Sequence, residues 1–344
     1  MRAFFHASFF AIAMGLMLTF EVNPKLMKSI AEIYELFQAT DGICTDTRKI
    51  FPNCTFLTLK GANFNGNRFV EQALEAGAAL VICDEDQKTD DQRVIQVQDG
   101  LTVLQQLASH HRQHLTFPII GITGSNGKTT TKELIRDVLL TTHKVQATLG
   151  NLNNHIGVPL TLLSFPLDLD MGIVEMGANH QREIAFLSEI AQPNYGLITN
   201  IGKAHLEGFG GIEGVKKGKK ELFDYIARTN GVLFVPESDE LLNSIAIANK
   251  NIIHYGKTHF PKVSKVDDAS TLKLHVAFEG QSWSIQTQLA GEYNASNALA
   301  AMAIGHHFHV SQENMVAAIA EYEPENNRSQ IKQTESNTLI MDAY

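Results

Sequence analysis

The stretch GITGSNGKTTTKELI, Gly121 to Ile135, decides how the chain is read. It overlaps FPIIGIT, whose segment from Ile119 to Thr123 suits a buried strand. It leads into residues 129–140, where Leu134, Ile135, Val138 and Leu139 recur at helical spacing. A glycine-containing loop between a strand and a helix collects anions, because free N–H groups and the helix dipole point into it. Gly124 and Gly127 let the backbone approach phosphate oxygens, Lys128 supplies a cation for the outer phosphates, and Thr129 supplies a hydroxyl for Mg²⁺. The full pattern G-x-x-x-x-G-K-[ST] would place glycine where this chain has Ile122. The remaining G-x-x-G-K-T also describes an ordinary strand-to-helix turn with a surface lysine, but the flanking strand and helix favour the phosphate loop.

From Phe117 onward strands and helices alternate as FPIIGIT, TKELIRDVLLTTH, MGIVEMG, REIAFLSEIA and YGLITNIG. Such alternation implies a mostly parallel sheet with helices on both faces. TLKLHVAFEGQSWSIQTQL alternates apolar and polar residues around a glycine-containing turn, and reads as an antiparallel hairpin added to that sheet. NASNALAAMAIGHHF follows as an Ala-rich helix. Upstream, MKSIAEIYELF places Ile30, Ile33, Tyr34 and Phe37 on one helical face, and the strand-like runs CTFLTL and AALVICDE follow between Gly- and Asn-rich turns. The fold class is therefore α/β. A small N-terminal α/β unit over residues 27–114 precedes a phosphate-loop central domain over residues 115–324.

The chain has 344 residues, 44% hydrophobic and 19% charged, enough to bury more than one core. Its formal net charge of −9 gives no basic field, so no nucleic-acid partner is expected. Cys44, Cys54 and Cys83 are odd in number and lack CxxC spacing, which fits neither a disulfide framework nor a zinc knuckle and suits a reducing, cytoplasmic compartment. MRAFFHASFFAIAMGLMLTF puts one arginine ahead of an apolar run at the lower length limit for a membrane span. Because Met27 opens the first amphipathic helix, residues 1–26 read as a hydrophobic leader or a spurious extension, with no membrane partner expected.

Two further segments point to phosphate chemistry. Glu175 closes the apolar run of MGIVEMG, where a carboxylate serves a metal or a helix terminus, or else sits exposed at the strand end. TNIGKAHLEGFG puts His205 and Glu207 in a Gly-flanked loop on the side where open α/β sheets gather ligands. Most other histidines, including His110, His111 and His114, read as solvated helix faces, and no HExxH spacing occurs.

Taken together, TGSNGKT, EMGANHQREI, ITNIGKAHLEGFG, GKKELF and GEYNASNALAA resemble the Mur ligases, ATP-dependent enzymes that build the peptide stem of bacterial cell-wall precursors. The resemblance covers about residues 27–344. Within it, TLGNLNNHIGVPLTLL and AHLEGFG look most like the member that adds D-alanyl-D-alanine to UDP-N-acetylmuramoyl-tripeptide through an acyl phosphate. Another Mur ligase, a folylpolyglutamate synthetase and an inactive nucleotide-binding fragment are the alternatives. TDTRKIFPNCTFLTLKGANFNGNRF is similar to the family's nucleotide-sugar domain.

The resemblance implies ATP and Mg²⁺ as cofactors. It implies Gly124, Ser125, Asn126, Gly127, Lys128, Thr129 and Thr130 around the phosphates, Thr129 and Glu175 serving Mg²⁺, and His205 supporting a second ion. Lys219 in GKKELF falls where the family carries a carbamylated lysine, an anionic oxygen donor in place of a repelling ammonium. Lys216, Lys217 and Lys220 leave that register open by one residue, and a solvated basic helix face is the plain alternative for all four. Lys128, Lys219 and His205 are thus the candidate catalytic residues. Asn294 and Asn297 match the family's adenine-recognising pair, although asparagine also caps helices. Tyr293 stands where members often have histidine. Arg328 resembles a phosphate-contacting arginine, with Asn327 in place of the usual glycine, and Asp342 resembles a ribose-holding acid. Asp46, Thr47, Arg48, Asn153 and Asn154 are the sugar-nucleotide candidates. The family's third, Rossmann-like domain, which takes the amino component, would follow DAY for roughly another hundred residues. Residues 325–344 read as a linker and its beginning, so the expectation is a monomeric fragment, inactive alone.

Overall fold

The computed structural model describes residues 28–268, 271–278, 281–324, 330–333 and 337–341. The leader assigned to residues 1–26, Arg328 and Asp342 lie outside them.

The N-terminal unit begins at Ser29, which forms a capping box with Glu32 and starts α1 (Ile30–Gln38), burying Ile33, Tyr34 and Phe37. There follow β1 (Ile43–Cys44), β2 (Thr55–Leu57), the short antiparallel pair β3 (Lys60–Gly61) and β4 (Phe64–Asn65), α2 (Val70–Glu75), β5 (Leu80–Cys83), β6 (Val94–Gln96) and α3 (Gly100–His114). Four of these strands form a parallel sheet in the order β1-β2-β5-β6. Cys44, Cys54 and Cys83 are buried free thiols in this unit.

The second sheet is built from β7 (Ile119–Thr123), α4 (Lys128–Leu140), β8 (Val145–Ala147), α5 (Gly157–Leu163), β9 (Met171–Glu175), α6 (Glu183–Ala191) and β10 (Tyr195–Ile198). After β10 come α7 (Leu206–Phe209), α8 (Ile212–Arg228), β11 (Val232–Pro236), α9 (Glu240–Ala246) and β12 (Ile252–Tyr255). Its six strands are parallel, in the order β12-β11-β10-β7-β9-β8. Both faces are covered, so β7 and β9 are buried at every residue and read as continuous apolar runs. The chain passes from β7 to the edge strand β8, returns to β9, then crosses to β10 on the far side of β7. The C-terminal ends of β9, β7 and β10 therefore surround a topological switch point, where ligands of such sheets bind.

Helix α3 joins the two sheets. It packs against α1 on one side and against α5 and α6 on the other, in one core that runs from Ile33 and Leu107 to Leu187 and Leu222. His111 corrects its sequence reading as a solvated residue: it is buried, with Nδ1 2.9 Å from the Tyr34 hydroxyl and Nε2 2.9 Å from the Phe165 carbonyl. Its neighbour Arg112 donates from Nε to the Ala191 carbonyl at 3.0 Å, and from Nη2 to the Gln192 carbonyl and Asn194 Oδ1, both at 3.0 Å. It thereby satisfies carbonyls at the C-terminus of α6.

The expected hairpin exists, but not as part of the parallel sheet. β13 (Lys262–Asp268), β14 (Leu272–Phe278) and β15 (Gln281–Gln286) form their own three-stranded antiparallel sheet. β14 buries only Leu272, Leu274, Val276 and Phe278, one face of the strand. One apolar face suits a sheet packed on one side, here in a core shared with α10 (Asn294–His307) and α11 (Gln312–Glu321). β16 (Gln330–Gln333) and β17 (Thr338–Met341) form a final antiparallel pair. Among the described residues no helix is long and apolar enough to cross a membrane.

Candidate active site

The loop that leaves β7 has the backbone its glycines foretell. Gly124 has φ +153°, and a Cβ there would collide with the Thr199 hydroxyl; Gly127 has φ +76° and is the cap residue just before α4. Ile122, where the full pattern has glycine, is instead a buried β7 residue. The residues after β10 hold the loop: the amides of Ser125 and Asn126 donate to the Asn200 carbonyl at 3.0 Å and to Asn200 Oδ1 at 3.1 Å. Gly202 N donates to Ser125 Oγ at 2.9 Å. Lys128 folds back over the loop, with Nζ donating to the carbonyls of Gly124 at 2.8 Å and Ser125 at 3.0 Å.

Glu175 is only 1% exposed, so it is not a solvated strand-end acid. Its Oε1 accepts from Asn153 Nδ2 at 2.8 Å and from Thr129 Oγ1 at 3.3 Å. Its Oε2 is buried without a hydrogen-bond partner, with the Lys132 ammonium 3.9 Å away. A buried carboxylate oxygen left open beside a hydroxyl fits a hard divalent cation such as Mg²⁺, which takes few protein oxygens and completes its shell with phosphate and water. Among the described residues no group of three His, Cys, Asp or Glu side chains gathers to hold a metal by itself.

These residues open on a cavity of about 880 Å³, whose walls include Ser125 to Lys128, Asn153, Asn154, Glu175, Glu183, Phe186, Lys203 and His205. His205 is exposed and takes φ +51° immediately before α7, a left-handed conformation unusual for a residue with a side chain. Gly218 lets α7 settle onto α8, since a Cβ there would strike the Phe209 ring. That ring lies 5.4 Å from Lys219 Nζ. Burial singles out Lys219 among the four neighbouring lysines: it is 2% exposed, whereas Lys217 is exposed and Lys220 pairs with Asp224. Burial first, and then the charge of Lys128, push its amine down to about 7.

Other sequence candidates stand apart from the cavity walls. Asn294 and Asn297 are buried behind the phosphate loop: Asn297 Nδ2 donates to Asn294 Oδ1 at 2.8 Å, and Asn297 Oδ1 accepts from Thr131 at 3.0 Å. Asn294 Nδ2 donates to the Ala290 carbonyl at 2.7 Å. The capping alternative does not hold for Asn294, because Tyr293 occupies the cap position and Asn294 is the first helical residue. Thr130 is buried in the first turn of α4. Asp46 caps the short turn Thr47–Lys49, with Arg48 Nε and Nη2 reaching its two oxygens at 2.9 and 2.7 Å, and that guanidinium holds its carboxyl well below the usual carboxylate range. Sequence reading passed over Lys132 and Asn200. Lys132 left a signal, since it shares a helical stripe with Ile135 and Leu139 and is a charge at a core position.

Residues 122–305 match the Mur ligase middle domain, and residues 40–112 match the Mur ligase family, catalytic domain. The chain is 37% identical over 307 residues to the UDP-N-acetylmuramoyl-tripeptide–D-alanyl-D-alanine ligase of Bacillus subtilis, covering 88% of this chain and 66% of that protein. With the Escherichia coli ligase of the same name it shares 32% identity over 312 residues, covering 88% of this chain and 68% of that protein. The chain thus spans about two thirds of the length of these relatives. A crystal structure of MurF from Acinetobacter baumannii is similar with a TM-score of 0.79 at 32% identity, covering 90% of this chain and 72% of that one. The shared fold, the ordered motifs and these matches make the chain a member of the Mur ligase family.

Proposed function

We propose that this chain serves the ATP-dependent joining of D-alanyl-D-alanine to UDP-N-acetylmuramoyl-tripeptide, in the cytoplasmic assembly of peptidoglycan precursors, as a monomer. The observation that carries the reading is the open Oε2 of buried Glu175, beside Thr129 and at the foot of a phosphate loop whose cavity also takes in Asn153 and Asn154. The names of the two relatives support the choice of substrates.

Gly124 to Thr130 cradle the ATP phosphates, and Lys128 leaves its two loop carbonyls to reach the outer ones. Thr129 and Glu175 hold Mg²⁺, which spreads the charge of the transferring phosphoryl group when bound. An oxygen of the tripeptide carboxylate attacks the γ-phosphorus and ADP leaves. The D-alanyl-D-alanine amine then attacks the acyl carbon, phosphate leaves, and the nitrogen loses its proton. Lys219 carries a carbamate: its neutral amine forms a C–N bond with CO₂ and releases a proton, and the resulting oxygens help His205 with a second ion. The low proton affinity of the Lys219 amine favours that reaction. Asn294 and Asn297 form the floor of the adenine site. Arg328 and Asp342, outside the described residues, are assigned to phosphate and ribose. The unit over 27–114 takes the sugar nucleotide through Asp46, Thr47 and Arg48, with Asn153 and Asn154 facing it from the central domain over 115–324.

Titration calorimetry tests the assignment. The chain is expected to bind Mg·ATP, and to bind UDP-N-acetylmuramoyl-tripeptide more tightly than the corresponding dipeptide. Equal affinity for the two sugar nucleotides overturns the substrate reading.

A further inference from the structure

Lys132 lies one turn beyond Lys128 on α4 and is 1% exposed. Its ammonium faces three segments at once: the Gly150 carbonyl at 3.1 Å, Glu133 Oε1 at 3.6 Å and Glu175 Oε2 at 3.9 Å. Gly150 has φ +52° and opens the loop that carries Asn153 and Asn154. Glu133 is fixed on its other side, since Oε2 accepts from the Tyr322 hydroxyl at 2.7 Å. A buried lysine needs a partner, because desolvation of its charge is costly. This one divides its charge between the acid assigned to the metal and the loop assigned to the sugar nucleotide.

We propose that Lys132 is a positioning residue that links the two ligand sites, so that ATP with its metal and the sugar nucleotide strengthen each other's binding. The proposal rests on the assignments made under the proposed function. When Glu175 commits its open oxygen to a divalent cation, that cation repels the Lys132 ammonium and screens it from the carboxylate. Among the described residues the ammonium then keeps Gly150 and Glu133 as partners, and Glu133 is already engaged by Tyr322. Its hold on the Gly150 carbonyl tightens, which orders the loop bearing Asn153 and Asn154. Asn153 Nδ2 also bridges to Glu175, but an amide carries no net charge and cannot sense the ion in the same way. Linkage makes the effect reciprocal, so a sugar nucleotide that orders the loop must raise the affinity for Mg·ATP by the same factor.

The test is calorimetry with Mg·AMP-PNP and UDP-N-acetylmuramoyl-tripeptide, each titrated into the chain alone and into the chain saturated with the other. The native chain is expected to bind each ligand at least about 5-fold more tightly in the presence of the other. Lys132→Met is expected to keep measurable affinity for each ligand alone but to bring that factor within about 2-fold of unity, and Lys132→Arg is expected to restore part of it. A residue with a merely structural role would lower both affinities and leave their ratio unchanged. Lys132→Gln, a shorter neutral donor, is run in parallel so that the result stands where the methionine variant does not fold. Full linkage in the neutral variants, or none in the native chain that binds both ligands, overturns the role of Lys132. A native chain that binds neither ligand overturns the assignments beneath it, a different and recognisable failure.

Discussion

A Cβ on Gly127 would sit 2.8 Å from Asn297 Oδ1, so the phosphate loop and α10 meet with no room for a methyl group between them. Asn297 cannot simply turn aside, because its oxygen accepts from Thr131 and its nitrogen donates to Asn294. Gly127→Ala must also hold φ at +76°. The substitution is expected to cost about 1–3 kcal/mol of stability. It should also weaken Mg·ATP binding by displacing the loop. Urea unfolding and calorimetry check the two effects, and an alanine variant of native stability would contradict the geometry.

Lys128→Ala separates the loop's charge from its shape. Its amine crosses back to the carbonyls of Gly124 and Ser125. Those bonds are local and the residue is only partly buried, so the expected stability loss is at most about 1 kcal/mol. Loss of a charged phosphate contact should weaken Mg·ATP by roughly 10- to 100-fold. Calorimetry with matched melting curves reads both, and unchanged ATP affinity would exclude a phosphate role.

Lys219 supplies a pH dependence with a definite sign. In the folded chain its amine loses its proton near 7, against an ordinary lysine value of 10.5. Between those values the unfolded chain binds the extra proton, so stability rises with pH across the window, and the full burial penalty is felt below about 7. In CO₂-free buffer Lys219→Met should flatten this rise. In bicarbonate, native mass spectrometry should show CO₂ added to the wild-type chain, increasing as pH passes upward through 7. The methionine variant should show none. An adduct that survives the substitution would move the modification to another lysine.

The sequence made the central sheet legible because strands buried on both faces leave unbroken apolar runs such as Ile119–Thr123 and Met171–Glu175. The strained loop after β7 was legible because its glycines stand where the backbone takes positive φ, at Gly124 and Gly127. What the sequence could not express was partnership across distance. His111 and Arg112 look like helix-surface residues until α1, α5 and α6 close around α3, and Lys132 is a charge on an apolar stripe whose partners appear only when Glu175 and Gly150 arrive beside it. The hairpin was recognised by its alternation, yet alternation does not say which sheet a strand joins. Asn294 and Asn297 were proposed from a motif, whereas their bonds to each other and to Thr131 are a tertiary fact.

Glu175→Gln tests whether the open oxygen is a metal ligand or only one end of a buried ion pair. The amide keeps the side chain's size, and its oxygen can still accept from Asn153 and Thr129, so the loops should stay in place. Two consequences separate. As an ion-pair end, Glu175 opposes Lys132, and its neutralisation leaves the ammonium with Gly150 and Glu133. The stability cost should therefore be less than the roughly 3–5 kcal/mol typical of a buried charge stripped of all partners. As a metal ligand, Glu175 should matter only when the ion is present. Affinity for ATP in EDTA is expected to be the same in both proteins, and Mg²⁺ or Mn²⁺ should tighten binding to the native chain while leaving the glutamine variant nearly unchanged. Electron paramagnetic resonance of Mn²⁺ reads the same point without any turnover. If Mn²⁺ binds both chains alike in the presence of ATP, Glu175 is a structural acid and its unpaired Oε2 needs another explanation.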